Sequence, residues 1–282
     1  MKDNEKKKIL NTKVEVIQRQ KKEYTLLSCQ TKSILLGSLL GDGSLKILKG
    51  SKNANFQEKH SIKQKEYLMW KRNNLCSELS VSEKDTWETI DTAPSGRKVE
   101  KIRYGSGRRQ SLTHLYNIVH KGGKFKIRRT WLNQLTPLSL AVWWCDDGSL
   151  VANTRQGVFC TDGFLLEDLK VLDRYMKKVW NINTSIHPHG KVLRKDGNQR
   201  YRLWIRSRDE LKKFLTIIIP FIPVDSMLYK VILLWKDPEL QQRWVSHIEQ
   251  HSSFTKDQIL RVIEQRKQSL KHYASKENER MI

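Results

Sequence analysis

A chain of 282 residues with 53 Lys and Arg against 30 Asp and Glu carries a net charge of +23. Self-repulsion of that size argues against a freely circulating metabolic enzyme and calls for a polyanionic partner, nucleic acid first and an anionic membrane surface second. Nine Trp, eight Tyr and seven Phe exclude a disordered chain and supply a core for one large domain or two modest ones.

No run approaches the ~18 apolar residues of a membrane-spanning helix, and Leu215 to Val224 is broken by Pro220 and Pro223. Lys-rich Met1–Lys8 is followed by no apolar signal stretch, and Asp3, Glu5 and Glu15 argue against a transit peptide, so secretion is not expected. Cys29, Cys76, Cys145 and Cys160 form no Cys-x-x-Cys. Neither a zinc site nor a disulfide framework is expected, and a reducing compartment is the default.

In chain order, residues 1–27 read as a polar extension leading to a helix cap near Ser28 or Thr31. Residues 34–45, Ile-Leu-Leu-Gly-Ser-Leu-Leu-Gly-Asp-Gly-Ser-Leu, form an apolar helical run that stops at Asp42-Gly43-Ser44-Leu45. Strands are predicted at Ser44–Lys49 and Asn53–His60, then a helix over Ile62–Leu79 with Tyr67, Leu68, Leu75 and Leu79 at helical spacing. A second strand pair, Thr86–Asp91 and Lys98–Tyr104, flanks the turn Ala-Pro-Ser-Gly, and a helix over Leu112–Val119 closes this half. Residues 139–150, Ser-Leu-Ala-Val-Trp-Trp-Cys-Asp-Asp-Gly-Ser-Leu, then repeat the phrase, with Asp147 placed 105 positions after Asp42. The same order follows: strands at Ser149–Ala152 and Gly157–Thr161, a helix over Leu165–Val179, a hairpin over Ser185–Arg206 turning at Asp196-Gly197, and a helix over Asp209–Ile218. Each half reads as αββαββα. Residues 239–282 read as two helices, the second capped near Thr255, forming a basic tail without recognisable chemistry.

An aspartate at a helix C-terminus faces the negative end of the helix dipole, at a cost of ~0.3–1 kcal/mol. Asp42 and Asp147 both take that position, each followed by the glycine expected to end the helix. Gly37 and Gly41 make a smooth stripe along which a second helix can approach closely. If the two phrases pack together, the carboxylates meet at one end. Paired carboxylates without thiolate or imidazole suit a hard cation such as Mg²⁺. On a scaffold of charge +23, that pair points to metal-assisted phosphodiester hydrolysis.

The two phrases resemble the paired motifs of a single-chain LAGLIDADG homing endonuclease of the intron-encoded branch. Leu35-Leu36-Gly37-Ser38-Leu39-Leu40-Gly41-Asp42-Gly43 is similar to the first motif, and Leu140-Ala141-Val142-Trp143-Trp144-Cys145-Asp146-Asp147-Gly148 to the aromatic Asp-Asp-Gly form of the second. The resemblance runs from about residue 28 to residue 235, through Phe56–Tyr67, Leu135–Ala141 and Ser226–Lys230. The second motif departs from the glycine pattern at Val142 and Asp146, so looser helix packing is expected there, with Asp146 a neighbour of the site and Asp147 the ligand.

The resemblance implies an α+β fold: two pseudo-symmetric αββαββα halves forming a DNA-binding β saddle, with LAGLIDADG helices at the interface. The halves are expected at residues 28–135 and 136–238, with the extension at 1–27 and the tail at 239–282. It also implies a monomer that cuts both strands of a long double-stranded DNA target across the minor groove, leaving short 3′ overhangs. The implied cofactor is Mg²⁺ or another divalent cation at Asp42 and Asp147, with the main-chain carbonyls of Gly41 and Asp146 as further candidates. Motif matching adds a lysine to each active site, Lys124 in Gly-Gly-Lys-Phe and Lys230 in Met-Leu-Tyr-Lys. The repeat supports the pair independently, since Asp42 to Lys124 is 82 positions and Asp147 to Lys230 is 83. Gln57 and His60 are peripheral candidates for holding water or phosphate.

DNA recognition is expected on the strands. Alternation puts Arg200, Arg202, Trp204 and Arg206 on one face, opposite Tyr201, Leu203 and Ile205, while Arg97, Lys101 and Arg103 share a parity in the first half. Arginine can read guanine edges in a bidentate manner, whereas lysine mostly anchors phosphates. Two alternatives stay open: an RNA maturase that assists its host intron, alone or in addition, and a regulator that kept the fold and lost the metal site. Retention of both acids and both lysines favours cleavage. The expected setting is a bacterial cytoplasm or an organelle interior.

Overall fold

In the computed structural model, residues 27–92, 96–151, 153–191, 193–194 and 196–278 are described. The N-terminal extension, the first three residues of the Ala93–Gly96 turn and the end of the basic tail lie outside them. Helix α1 (Cys29–Leu40) begins at Ser28, whose Oγ accepts the Thr31 N–H at 3.1 Å. The first half continues through β1 (Gly43–Lys46), β2 (Asn55–Ser61), α2 (Lys65–Leu79), β3 (Thr86–Thr92), β4 (Lys98–Gly105) and α3 (Gln110–Val119). The short hairpin β5 (His120–Lys121) and β6 (Lys124–Phe125) and the turn of helix α4 (Arg129–Leu132) lead to the second half.

There the order recurs: α5 (Pro137–Asp147), β7 (Gly148–Val151), β8 (Gln156–Phe159), α6 (Leu166–Tyr175), β9 (Ser185–Pro188), β10 (Tyr201–Ile205) and α7 (Arg208–Ile218). Helix α6 widens into a π turn over Met176–Trp180. A 3₁₀ segment (Asp225–Lys230) follows α7, then α8 (Pro238–His251) and α9 (Lys256–Asn278). The two antiparallel sheets have matching orders, β1-β2-β4-β3 and β7-β8-β10-β9. Their registers show which residues correspond. Gly43 faces Glu58, which faces Tyr104; Gly148 faces Phe159, which faces Leu203. Arg103 therefore corresponds to Arg202, and Lys101 to Arg200.

Helices α1 and α5 are buried along almost their whole length and pack on each other between the halves. Thr136 and Ser139 cap α5 reciprocally, and the Thr136 hydroxyl donates to Ser33 Oγ of α1 at 2.8 Å. The looser packing expected at Val142 and Asp146 does not occur, because glycines on one helix suffice. A Cβ on Gly37 would lie 2.4 Å from the Ser139 carbonyl oxygen and 2.8 Å from Val142 Cβ, and one on Gly41 would lie 2.4 Å from Asp146 Cβ.

The glycines after the aspartates also serve space rather than handedness. Gly148 caps α5 at φ −76°, and Gly43 is not among the positive-φ glycines. A Cβ on Gly148 would meet the Trp144 ring at 2.2 Å, and one on Gly43 the Phe56 ring at 2.8 Å. The helix ends differ as well: Asp147 is the last residue of α5, whereas α1 stops at Leu40 and Asp42 follows its Gly41 cap.

Gly37→Ala tests the packing directly. The Ser139 carbonyl belongs to a helix backbone and cannot rotate away, so the substitution is expected to cost about 1–3 kcal/mol, read from the denaturation midpoint.

Candidate active site at the paired helix ends

The geometry brings Asp42 and Asp146 into contact where α1 and α5 end, with the Asp147 carboxyl near enough to feel both charges though outside their group of converging oxygens. The Asp42 N–H donates to Asp146 Oδ2 at 3.4 Å, and Asp42 Oδ2 lies 3.5 Å from His60 Nδ1. Asp42, His60 and Asp146 each offer a ligand atom within 4.8 Å of the others. The Asp42 side chain is 39% exposed, while Asp147 is half-buried. Burial, with the charges of Asp42 and Asp146 added, pushes the Asp147 carboxyl up to about 8 although Lys230 pulls it down. A cation placed among these carboxylates would offset their repulsion.

Asp146 is engaged in a different way. Its Oδ1 accepts from Lys71 Nζ at 2.6 Å, and the same ammonium also donates to Glu58 and to Ser38 Oγ. Tyr104 donates to Glu58 Oε2 at 3.0 Å, and Lys71 sits 4.5 Å from the centre of the Tyr67 ring. Lys71, Glu58 and Asp146 have fully buried side chains. Burial alone would raise Glu58, but Lys71 and then His60 reverse this and hold it low. Asp146 stays raised, because burial and the nearby Glu58 charge outweigh Lys71. Asp146 thus divides its oxygens, Oδ1 accepting from Lys71 and Oδ2 from the Asp42 N–H.

His60 is 2% exposed, with Nδ1 3.2 Å from Gln64 Oε1 and Nε2 3.3 Å from Glu58 Oε1. Burial depresses its imidazole, but Glu58 and Asp146 outweigh that and set it above its ordinary value. Gln57 lines a cleft of about 310 Å³ with Asp42, Lys59, Trp87 and Arg103. Its counterpart in the second half is the buried Val158.

The two lysines fare differently. Lys230 is buried, and its Nζ donates to the Gly148 carbonyl at 2.6 Å, directly after Asp147. Lys124 is exposed on the β5–β6 hairpin, which turns through Gly122 and Gly123 at positive φ. Among the described residues, no hydrogen bond or ion pair joins Lys124 to Asp42.

The basic strand residues lie opposite buried neighbours. Leu203 and Ile205 are fully buried, as are Ile102 and Tyr104, leaving Arg202, Arg206, Lys101 and Arg103 on the other face. Arg103 lies 4.7 Å over Trp87, and Arg206 5.6 Å from the Trp204 ring. Arg202 donates through Nε and Nη2 to Asp162 Oδ2 at 3.0 and 2.8 Å, and His189 Nδ1 lies 2.8 Å from Asp162 Oδ1. Arg200 lines a cleft with Asp162, Gly163 and Arg194, and Arg97 lies just before β4, outside the strand. Sequence reasoning missed the Lys71–Glu58–Asp146 cluster and Asp162. Lys71 had a signal: it occupies the stripe Tyr67, Lys71, Leu75, Leu79, a cation at a core position.

The model of the LAGLIDADG DNA endonuclease family matches residues 32–214, more than half of the chain, and the chain belongs to that family. Over 227 residues it is 33% identical to a Protein RecA of Mycobacterium shimoidei, covering 74% of this chain and 48% of that protein. DNA endonuclease I-ChuI of Chlamydomonas applanata is 25% identical over 218 residues, 73% of this chain and 95% of that one. Cytochrome b mRNA maturase bI2 of Debaryomyces hansenii is 26% identical over 200 residues, 70% of this chain and 72% of that one. The chain spans about half the length of the Mycobacterium shimoidei relative. The homing endonuclease I-WcaI, solved bound to its DNA recognition sequence, superposes with a TM-score of 0.64 at 23% identity over 78% of this chain and 93% of that one, and so shares the fold. Among the described residues, no helix is long and apolar enough to cross a membrane.

The Asp147 environment makes a pH test possible. Its carboxyl pKa is about 4 when unfolded and about 8 when folded, so the folded state binds the extra proton between those values. Its stabilising effect is complete below the unfolded value and is lost as pH rises through the folded one. Without divalent cation, Asp147→Asn is expected to melt above the wild type at pH 8, by at least ~2–4 °C, with the gap closing toward pH 5.

Proposed function

We propose that the chain is a site-specific endonuclease that hydrolyses one phosphodiester in each strand of double-stranded DNA. The observation that carries this reading is the convergence of Asp42 and Asp147 at the ends of two packed helices, with Asp147 pushed up to about 8 and Lys230 beside it. The net charge of +23 supplies the attraction for a polyanion. Family membership and the likeness to I-ChuI support the same reading.

The donor set fits a divalent cation. Hard carboxylate oxygens from Asp42 and Asp147 would hold Mg²⁺, with the carbonyls of Gly41 and Asp146 as further donors. When bound, the cation supplies Lewis-acid polarisation of a phosphate oxygen. The protein's own groups do the rest. Lys230, fixed against Gly148, places a buried positive charge where negative charge develops on the phosphate of one strand. Lys124 takes that role for the other strand from its exposed hairpin. His60 lies against Asp42 from the buried side, and the Gln57 amide orients a water in the cleft that Gln57 shares with Asp42.

Arg97, Lys101, Arg103, Arg200, Arg202 and Arg206 meet the duplex, with Arg202 preset by Asp162 and Arg103 by Trp87. The paired motifs let one chain form both sites, so the acting species is a monomer. Such an activity belongs in a DNA-bearing compartment, a bacterial cytoplasm or an organelle interior. Assistance to splicing of a host intron RNA is the second reading, supported by the likeness to maturase bI2.

Asp42→Asn and Asp147→Asn are each expected to lower double-strand cleavage in Mg²⁺ at least a hundredfold, comparable to loss of an oxyanion donor, while duplex binding persists. Plasmid carrying the uninterrupted host locus is the substrate. Cleavage by either variant at the wild-type rate would remove the metal-site assignment. Chelation with EDTA is expected to stop the reaction, and millimolar Mg²⁺ to raise the melting temperature of the wild type but not of Asp147→Asn.

A further inference from the structure

Helices α8 and α9 lie beyond the residues that define the family match. They pack on each other, and Trp244, Val245, Ile248, Ile259 and Ile263 on them are buried. The end of the 3₁₀ segment that carries Lys230 leaves carbonyls without helical partners, as any helix end does. Three in succession are satisfied from outside. The Tyr229 carbonyl accepts from Arg266 Nη1 at 3.2 Å, the Lys230 carbonyl from Trp144 Nε1 at 2.9 Å, and the Val231 carbonyl from Trp244 Nε1 at 3.1 Å. One donor comes from α5; the other two come from α8 and α9.

Arg266 does more than fill a vacancy. Its Nη2 donates to the Leu150 carbonyl at 3.4 Å, on the strand that begins with Gly148. One guanidinium thus joins the two stretches of chain that the Lys230–Gly148 hydrogen bond also joins. At the other end of the same 3₁₀ segment, Arg261 of α9 pairs with Asp225 at 2.9 Å. A planar guanidinium with several fixed donors suits this clasp, whereas an ammonium of similar reach is a single point charge.

We infer that the C-terminal helical pair is part of the second active site, with Arg266 a positioning residue that fixes Lys230 relative to Asp147. The inference rests on the proposed role of Lys230. Without the clasp, the Lys230 backbone is held on fewer sides and its ammonium drifts from Gly148. Misplacement by ~1 Å can cost up to about a hundredfold in rate. Only the strand served by Lys230 and Asp147 should feel the loss.

The test uses the full chain and a duplex that the wild type selects and cuts from a randomised library, labelled on each strand. Single-turnover cleavage of each strand is followed at saturating protein in Mg²⁺, alongside duplex affinity and the melting curve. Arg266→Met is expected to slow one strand about tenfold or more, to leave the other strand and the affinity nearly unchanged, and to accumulate nicked duplex. Lys230→Met is expected to slow the same strand. Arg266→Lys should fall between Arg266→Met and the wild type, and it is read instead if Arg266→Met does not fold. Arg243→Ala, which breaks an exposed ion pair with Glu239 on α8, is the control and should keep the wild-type strand ratio.

Equal slowing of both strands by Arg266→Met, or weakened binding in its place, would make Arg266 merely structural and overturn the inference. An unchanged strand ratio in Arg266→Met and Arg266→Lys, with Lys230→Met still strand-selective, would overturn it while sparing the role of Lys230. If Lys230→Met slows neither strand selectively, or the wild type selects no cleavable duplex, the parent reading fails first and this one with it.

Discussion

The rest of the structure depends on how closely α1 and α5 approach. At Gly37 the Ser139 carbonyl of the α5 backbone comes directly against α1, and the Val142 and Asp146 side chains fill the space that Cβ atoms on Gly37 and Gly41 would need. That contact places the two acids of the repeated phrase at one end of the helix pair and lets each helix carry its own sheet away from the seam. A wider spacing would let water in and separate the carboxylates, easing both the burial and the crowding that raise Asp147. Dispersion and burial along two almost wholly buried helices outweigh the repulsion of the acids at their tips. The repulsion is thereby concentrated at the paired helix tips.

The halves share a topology but solve their cores by different chemistry. In the first, Glu58 faces inward from β2 and meets Lys71 and Tyr104, and the same Lys71 ammonium reaches across the seam to Asp146. At the corresponding position of the second, Phe159 stacks on Trp143 with centroids 3.8 Å apart and meets Trp144 and Phe214 edge-on. The difference follows from the seam itself. Gly41 leaves room for the Asp146 carboxylate to enter the first half, and a buried carboxylate there requires a buried cation. The second half receives no such intruder and is filled with aromatic rings.

Much of this was legible in the residues. The repeated Asp-Gly-Ser-Leu phrase located both central helices and both acids, and alternation in Arg200–Arg206 separated core from surface correctly at Leu203 and Ile205. Legibility failed where a side chain acts across sequence-distant elements. Glu58 looked like one more charge in a basic chain until β2 turned it toward the core. Gly43 and Gly148 read as helix stops, and their tight fit against the Phe56 and Trp144 rings emerges only from tertiary packing. Lys124 and Lys230 have almost the same spacing from their acids, yet one sits on an exposed hairpin and the other inside the fold. Spacing along a chain says nothing about what is packed over it, and α8 and α9 are packed over only one of the two.

The connection between β1 and β2 runs from Ile47 to Ala54, four residues longer than that between β7 and β8, and it exposes Ile47 and Leu48. The longer loop has no twin, so a half-turn of the molecule about its pseudo-dyad does not restore the same surface. A duplex laid along both sheets would be gripped in one polarity only. The two strands would then be chemically distinguishable to the protein even where their sequences matched.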